Sequence, residues 1–309
     1  MTGNQVGFLG LGQIGRPLAE VLQSRGVRLV VYDRTPSHAR SLAREGAEIA
    51  ATPREVGETI GSGIAFLCLS DYPASRAVTS GPTGLLRGMS RGGTVVNLST
   101  IAPEEARRLA ADAASQGVRY VDSPIGGSID AAARGEVLFY VGADQRVLDA
   151  VRKHLGWMSR EIIHLGPVGS GSAMKLVNNF LTIATVAMDA EALALAEGLG
   201  LDLERSVEVL LKGGGRSQML LNKKDLMLQR DYQPRFRLAL SLKDLRLVES
   251  MARESDRSVT IASAARKLME GAMRQGFGEK DFSAVFEFVR RNDRRVSRKR
   301  SGRPSSRDS

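Results

Sequence analysis

Lys175 and Asn179 stand four residues apart in the segment Gly169-Ser170-Gly171-Ser172-Ala173-Met174-Lys175-Leu176-Val177-Asn178-Asn179. On a helix they project from one face, one turn apart. An ammonium and an amide so placed can handle a carbonyl or hydroxyl oxygen, the ammonium by giving and taking a proton. The small Gly and Ser residues ahead of them let a ligand or a second backbone approach the helix start. Taken alone, the pair reads first as a surface Lys beside a capping Asn.

A second group lies near the N-terminus. Gly10-Leu11-Gly12-Gln13-Ile14-Gly15 follows the apolar strand Val6 to Leu9 and precedes a helix from Arg16 to Arg25. In G-x-G-x-x-G the first Gly permits the turn, the second admits a diphosphate, and the third lets helix and sheet pack closely. Asp33 ends the next strand, Val27 to Tyr32, where a carboxylate can accept from adenosine ribose hydroxyls and repels a 2′-phosphate. Arg34 and Thr35 follow at once and could hold such a phosphate. NAD(H) is therefore favoured and NADP(H) also allowed. Asp33 reads alternatively as part of a helix cap with Thr35 and Ser37.

Chemistry of this kind needs a sheet to carry the turn. Apolar strands at Ile64 to Leu69 and Thr94 to Leu98 alternate with helical patterns such as Ala102 to Gln116, and Tyr120 to Asp122 and Val137 to Val141 continue the sheet. The expected fold is α/β: a doubly wound Rossmann-type sheet over residues 1–166, then an all-helical domain over 167–290. The second domain opens on a long helix, Ala173 to Gly198, followed by Leu203 to Leu211, Leu220 to Leu228, Leu240 to Glu254, Val259 to Gln275 and Phe282 to Arg290. Leu69, Ser70 and Thr100 follow strand ends, the side on which such sheets bind ligands.

Composition narrows the class. At 309 residues with 42% hydrophobic content, two domains are expected. Cys68 is the sole cysteine and stands in an apolar run, so no internal disulfide forms and a buried structural thiol in a reducing cytoplasm is expected. No apolar run is read as approaching the roughly 20 residues of a membrane span, and the first residues lack signal-peptide character. Nine Lys/Arg against two Asp/Glu from Arg290 to Ser309 supply +7 of the net charge of +10. Residues 291–309 read as a basic disordered tail, a solubilising extension rather than a nucleic-acid binder. His38, His154 and His164 lack spaced partners, so no metal is expected; Asp122, Asp189 and Glu191 read as capping, pairing or solvated acids.

With these pieces in place, the chain resembles the β-hydroxyacid dehydrogenases, the family of 3-hydroxyisobutyrate dehydrogenase and tartronate semialdehyde reductase. The resemblance runs from about Val6 to Arg290 through five ordered motifs. They are the glycine turn, Asn97-Leu98-Ser99-Thr100-Ile101-Ala102-Pro103, Val121-Asp122-Ser123-Pro124-Ile125-Gly126-Gly127-Ser128, the Gly169–Asn179 block, and Lys243-Asp244. It implies a reversible hydride transfer between NAD(P) and a small β- or γ-hydroxy acid or semialdehyde. Lys175 would be general acid and base, a role favoured when burial and neighbouring charge lower a Lys pKa. Asn179 would orient the reacting oxygen, Lys243 would close over the cofactor, and Gly126, Gly127 and Ser128 would form the substrate loop.

Two departures bear on substrate. Gly126 stands where the family has Ser, and Ser128 where it has Gly, so the usual hydroxyl contact is moved or lost and the cleft gains room. Rival readings are a non-enzymatic NAD(P)- or nucleic-acid-binding protein on the same fold, or a reductase of another carbonyl or an imine. Imine reductases replace the Lys that this chain keeps, and 6-phosphogluconate dehydrogenase has His-Asn where Asn178-Asn179 stand. The long helix is too apolar all round for a surface helix. A homodimer or homotetramer with its active site in the interdomain cleft is expected.

Overall fold

A computed structural model of the chain describes residues 5–291; the basic tail at 292–309 lies outside them. Six parallel strands form the first sheet: β1 (Gln5–Leu9), β2 (Arg28–Tyr32), β3 (Glu48–Ile49), β4 (Ile64–Leu67), β5 (Thr94–Asn97) and β6 (Arg119–Asp122). Their order is β3-β2-β1-β4-β5-β6, with the first crossover returning on one side of β1 and the fourth strand on the other. That is the doubly wound arrangement. Alternate residues feed opposite faces. Phe8, Val31, Phe66, Val96 and Val121 enter one apolar core, while Leu9, Val30, Leu67, Val95 and Tyr120 enter the other. Burial on both faces explains why these strands read as continuous apolar runs.

Val137–Val141 (β8) does not continue this sheet, a correction to the expectation. It pairs antiparallel with β7 (Ile125–Gly126) and parallel with β9 (Ser159–His164) in a separate three-stranded sheet. A single antiparallel bridge, Asp122 with Gly142, joins the two near the end of β6. The chain reverses at Ser123-Pro124, so the next strand hydrogen-bonds to β8 instead of extending the parallel ladder.

Helices α1 (Gly15–Ser24), α2 (Arg40–Arg44), α3 (Pro53–Ile60), α4 (Tyr72–Ser80), α5 (Pro103–Ser115), α6 (Ile129–Arg134) and α7 (Gln145–Met158) fill the crossovers. Four of the seven, α3, α4, α6 and α7, are capped by Thr52, Asp71, Ser128 and Asp144, whose side-chain oxygens accept from first-turn N–H groups, and α3, α4 and α5 carry Pro at one of their first two positions.

Helix α8 runs Ser170–Gly198, a turn earlier than its apolar pattern suggests. Contacts divide the chain into two compact units, the first ending at Leu176 and the second beginning at Val177. The pattern changes at 167, yet the first turns of α8 pack with the sheet unit. A Cβ at Gly171 would lie 2.1 Å from the Tyr140 carbonyl oxygen, so only glycine permits that approach. With 29 residues and a mean hydropathy of 1.3, α8 is also long and apolar enough to cross a membrane by length and composition, contrary to the expectation that no segment approaches that size. Forty-four percent of its apolar window is buried within the protein.

Among its described residues the second unit is built of helices joined by loops: α9 (Leu203–Lys212), α10 (Gln218–Gln229), α11 (Leu238–Glu254), α12 (Thr260–Arg274), a 3-10 turn (Phe282–Ala284) and helical residues 285–291. Asp281 anchors that last segment. Its fully buried carboxylate accepts both oxygens' worth of bonds from Lys223 Nζ at 2.9 Å, and from the N–H groups of Arg235, Phe236 and Ser283. A buried charge persists in a fold only when paired and hydrogen-bonded in this way.

Candidate functional site

The glycine turn leaves the carboxyl end of β1 and enters α1. Gly10 has φ +96°, and a Cβ there would meet the Cys68 carbonyl oxygen at 2.3 Å. A Cβ at Gly15 would lie 2.0 Å from the Gly10 carbonyl oxygen, which sets how closely α1 follows the strand. Gly12 differs: a Cβ there would touch nothing within 4 Å. The protein's own packing demands Gly10 and Gly15 but leaves an open cradle at Gly12, on the approach to the α1 N-terminus. Helix α1 has no side-chain cap, so its first-turn N–H groups face that approach. Gln13 is exposed and Ile14 packs partly against the core. These residues fit a dinucleotide diphosphate.

Asp33 does two things at once. Its Oδ2 accepts from the Leu11 N–H at 2.7 Å, tying the end of β2 to the glycine turn, and its Oδ1 accepts from the Thr35 N–H at 2.8 Å. The ribose and capping readings are therefore compatible, since the Asx turn holds the carboxylate at the groove. His38 Nδ1 lies 3.2 Å from Asp33 Oδ1. The sequence reading missed this partner because a 3-10 turn at Pro36–Ala39, not a regular helix, brings the ring back. Arg34 and Thr35 are exposed.

Leu69 and Ser70 follow β4, and Thr100 follows β5, at the same sheet end as Gly10. A buried relay levels these loops. The Leu69 N–H donates to Ser99 Oγ, the Ser99 N–H to Asn97 Oδ1, and Asn97 Nδ2 to the Tyr120 hydroxyl at 2.9 Å. Asn97 replaces the resembling family's Asp here, and its amide supplies the donor that a carboxylate lacks. Burial raises the Tyr120 phenol well above its ordinary pKa, so it stays protonated. Ser70 Oγ donates to Asp71, the cap of α4.

Asp122 holds the start of α8. Its Oδ1 accepts from the Gly169 N–H at 2.9 Å and its Oδ2 from the Ser172 N–H at 2.7 Å. A carboxylate from the end of β6 thus caps a helix some fifty residues away, offsetting first-turn donors with a charge at the positive end. Burial raises the Asp122 pKa, and the hydrogen bonds from Gly169 and Ser172 oppose that rise. Lys175 is half-buried one turn beyond Gly171 on the same helix face, and Gly171 rests on the Tyr140 carbonyl.

Within the second unit, Asn179 is buried and its Nδ2 donates to Asp244 Oδ2 at 2.6 Å. Lys243 Nζ lies 2.9 Å from the other carboxylate oxygen. Asp244, to which the sequence reading gave no role, is the anchor of both. Its signal was present in the Lys243-Asp244 pair, but the partner 65 residues upstream was not.

The substrate loop corrects one expectation. Gly126 does not leave more room, because a Cβ there would meet the Tyr140 ring and hydroxyl at 2.9 Å. Tyr140 occupies that space. Ser128 Oγ accepts from the Ala131 N–H and caps α6. Gly127 has φ +142°, a backbone region that favours glycine.

Residues 5–166 match the family model described as the NAD binding domain of 6-phosphogluconate dehydrogenase, and 169–289 the one described as NAD-binding of NADP-dependent 3-hydroxyisobutyrate dehydrogenase. The chain is 31% identical over 284 residues to the 2-(hydroxymethyl)glutarate dehydrogenase of Eubacterium barkeri, covering 92% of this chain and 94% of that one. It is 31% identical over 295 residues to the mitochondrial 3-hydroxyisobutyrate dehydrogenase of Homo sapiens, covering 93% and 87%. The crystal structure of a 3-hydroxyisobutyrate dehydrogenase from Salmonella typhimurium superposes with a TM-score of 0.84 at 27% identity, over 92% of this chain and 99% of that one.

Proposed function

Because this chain belongs to the β-hydroxyacid dehydrogenase family, we propose that it moves hydride reversibly between NAD(P) and a small β- or γ-hydroxy acid or its semialdehyde, with Lys175 as general acid and base. The observation that carries this reading is the Asp122 cap, which fixes the start of the helix bearing Lys175 beside the loop Pro124–Gly127. When bound, the nicotinamide supplies or takes the hydride. Lys175 gives its proton to the carbonyl oxygen during reduction and takes one from the hydroxyl during oxidation. Asn179, held by Asp244, orients that oxygen, and Lys243, held by the same carboxylate, contacts the cofactor. The backbone around Gly10–Gly15 receives the diphosphate, and Leu69, Ser70 and Thr100 line its groove.

An NADH-oxidation panel over succinic semialdehyde, methylmalonate semialdehyde, tartronate semialdehyde, sulfolactaldehyde and glyoxylate tests the reaction class. Turnover on at least one acid-bearing aldehyde is expected, and none on any of them would overturn it.

NAD(H) is the favoured cofactor, with NADP(H) also accepted. Asp33→Asn removes a charge that opposes a 2′-phosphate, worth about 1 kcal/mol or roughly a fivefold change in preference. The ratio of kcat/KM with NADPH to that with NADH is expected to rise accordingly. Because Asp33 also holds the Leu11 N–H, NADH activity falls as well. A wild-type enzyme clearly faster with NADPH would make Arg34 the governing contact instead.

The same reading includes a homodimer or homotetramer in the cytoplasm. Met174, Leu181, Met188 and Leu195 recur every seven residues on α8 and are all exposed, at 38–68%. An apolar stripe of that regularity suits a second copy of the chain, and light scattering showing a monomer would refute the assembly. Burial pushes the Cys68 thiol up to about 12, so it stays a protonated, unreactive thiol.

A further inference from the structure

The hydroxyl that the substrate loop lacks at Gly126 is present on the neighbouring strand. In the β7–β8 ladder Gly126 faces Leu138 and Ile125 faces Phe139, and the Tyr140 N–H donates to the Pro124 carbonyl at 3.1 Å. Side chains alternate along β8, so Phe139 enters the sheet core while Tyr140 turns to the face shared with Gly126. There the phenol end lies 2.9 Å from where a Gly126 Cβ would be. Gly126 is not glycine for backbone reasons, since its φ lies outside the left-handed region; the neighbouring phenol occupies the space that a side chain there would take. A small residue at 126 and a large one at 140 are thus a matched pair. Tyr140 is 8% exposed, with its phenol end against the loop at Gly126. Its own carbonyl is the atom on which Gly171 rests, one helical turn before Lys175.

We propose that Tyr140 is a specificity-determining residue of this enzyme, its phenolic O–H donating to the carboxylate of an acid-bearing aldehyde whose carbonyl oxygen meets Lys175. The inference rests on the dehydrogenase reading above. The phenol takes over the recognition that a loop hydroxyl would otherwise provide, and its ring shortens the space over Gly126. Carboxylates of small semialdehydes fit that geometry; a bulky substituent on the same carbon does not. Burial holds the phenol above its ordinary pKa, opposed by Arg160, so it remains a donor at working pH.

The test is steady-state NADH oxidation with the best acid-bearing aldehyde of the panel and with butanal, which lacks the acid group. Losing one hydrogen bond to a charged group corresponds to about 10- to 100-fold. Tyr140→Phe is expected to raise KM for the acid substrate by that factor with kcat little changed, and to leave butanal reduction unaffected. Tyr140→Leu combined with Gly126→Ser returns a hydroxyl to the loop and is expected to recover much of the KM lost in Tyr140→Leu alone. An unchanged KM for Tyr140→Phe in an active wild-type background, or an equal change on butanal, would overturn the role of Tyr140 alone. A wild-type protein inactive on every acid-bearing aldehyde would overturn the dehydrogenase reading and this one with it.

Discussion

Lys175→Ala is expected to lower kcat/KM for aldehyde reduction by about 10²- to 10⁴-fold, the range that a positioned general acid contributes. NADH binding, followed by fluorescence titration, should stay near wild type. The reason for that split is spatial. On the proposed reading the diphosphate is received by the Gly10–Gly15 turn and the α1 N-terminus, whereas Lys175 sits on α8 one turn after Gly171, which rests on the Tyr140 carbonyl. Loss of both activity and NADH binding would mean that Lys175 supports the cofactor rather than the reacting oxygen. Near-normal reduction by the variant would remove Lys175 from the mechanism.

Asp122→Ala is expected to act on stability and turnover together. The substitution orphans the buried N–H groups of Gly169 and Ser172, at about 1–3 kcal/mol each. It also frees the helix start that positions Lys175, so kcat should fall more than NADH affinity. Chemical denaturation gives the first number and single-turnover reduction the second. The pH dependence has a definite sign. Burial raises the Asp122 pKa in the folded protein, so between the usual aspartate range and that raised value the folded chain holds a proton that the unfolded chain has released. The contribution of Asp122 to stability is therefore fullest below that window and declines as pH rises through it, then stays level. The stability gap between wild type and Asp122→Ala should narrow over the same interval. A gap that widened there would show that hydrogen bonding outweighs burial at this carboxyl.

Much of the site was legible because its signals are local. The glycine turn, the strand before it and the helix after it lie within twenty residues, and G-x-G-x-x-G constrains the backbone wherever it occurs between such elements. Asp33 was legible for the same reason, at the end of the next strand. Lys175 and Asn179 share a helix, so their spacing alone puts them on one face. Strand and helix identities followed from apolar runs and from the 3.6-residue period, which are properties of neighbouring side chains.

The rest depended on where the chain path brings distant residues. Val137–Val141 has a strand's composition, but only the reversal at Ser123-Pro124 assigns it to a second sheet. Asp122 shows the sequence of a strand-end acid; its work as the cap of α8 requires Gly169 and Ser172 to arrive 47 and 50 residues later. Asp244 supports Asn179 across 65 residues, and no periodicity encodes that pairing. At Gly126 sequence reasoning inferred empty space from a missing side chain, but close packing gives the volume around one residue to whichever neighbour reaches it, here Tyr140. Sequence by itself determined the candidate residue types and the elements that hold them, because covalent neighbours and helical or strand periods set those. Only the tertiary structure decided which groups orient them and which hydroxyl faces the substrate loop, because hydrogen bonds and packing act across space rather than along the chain.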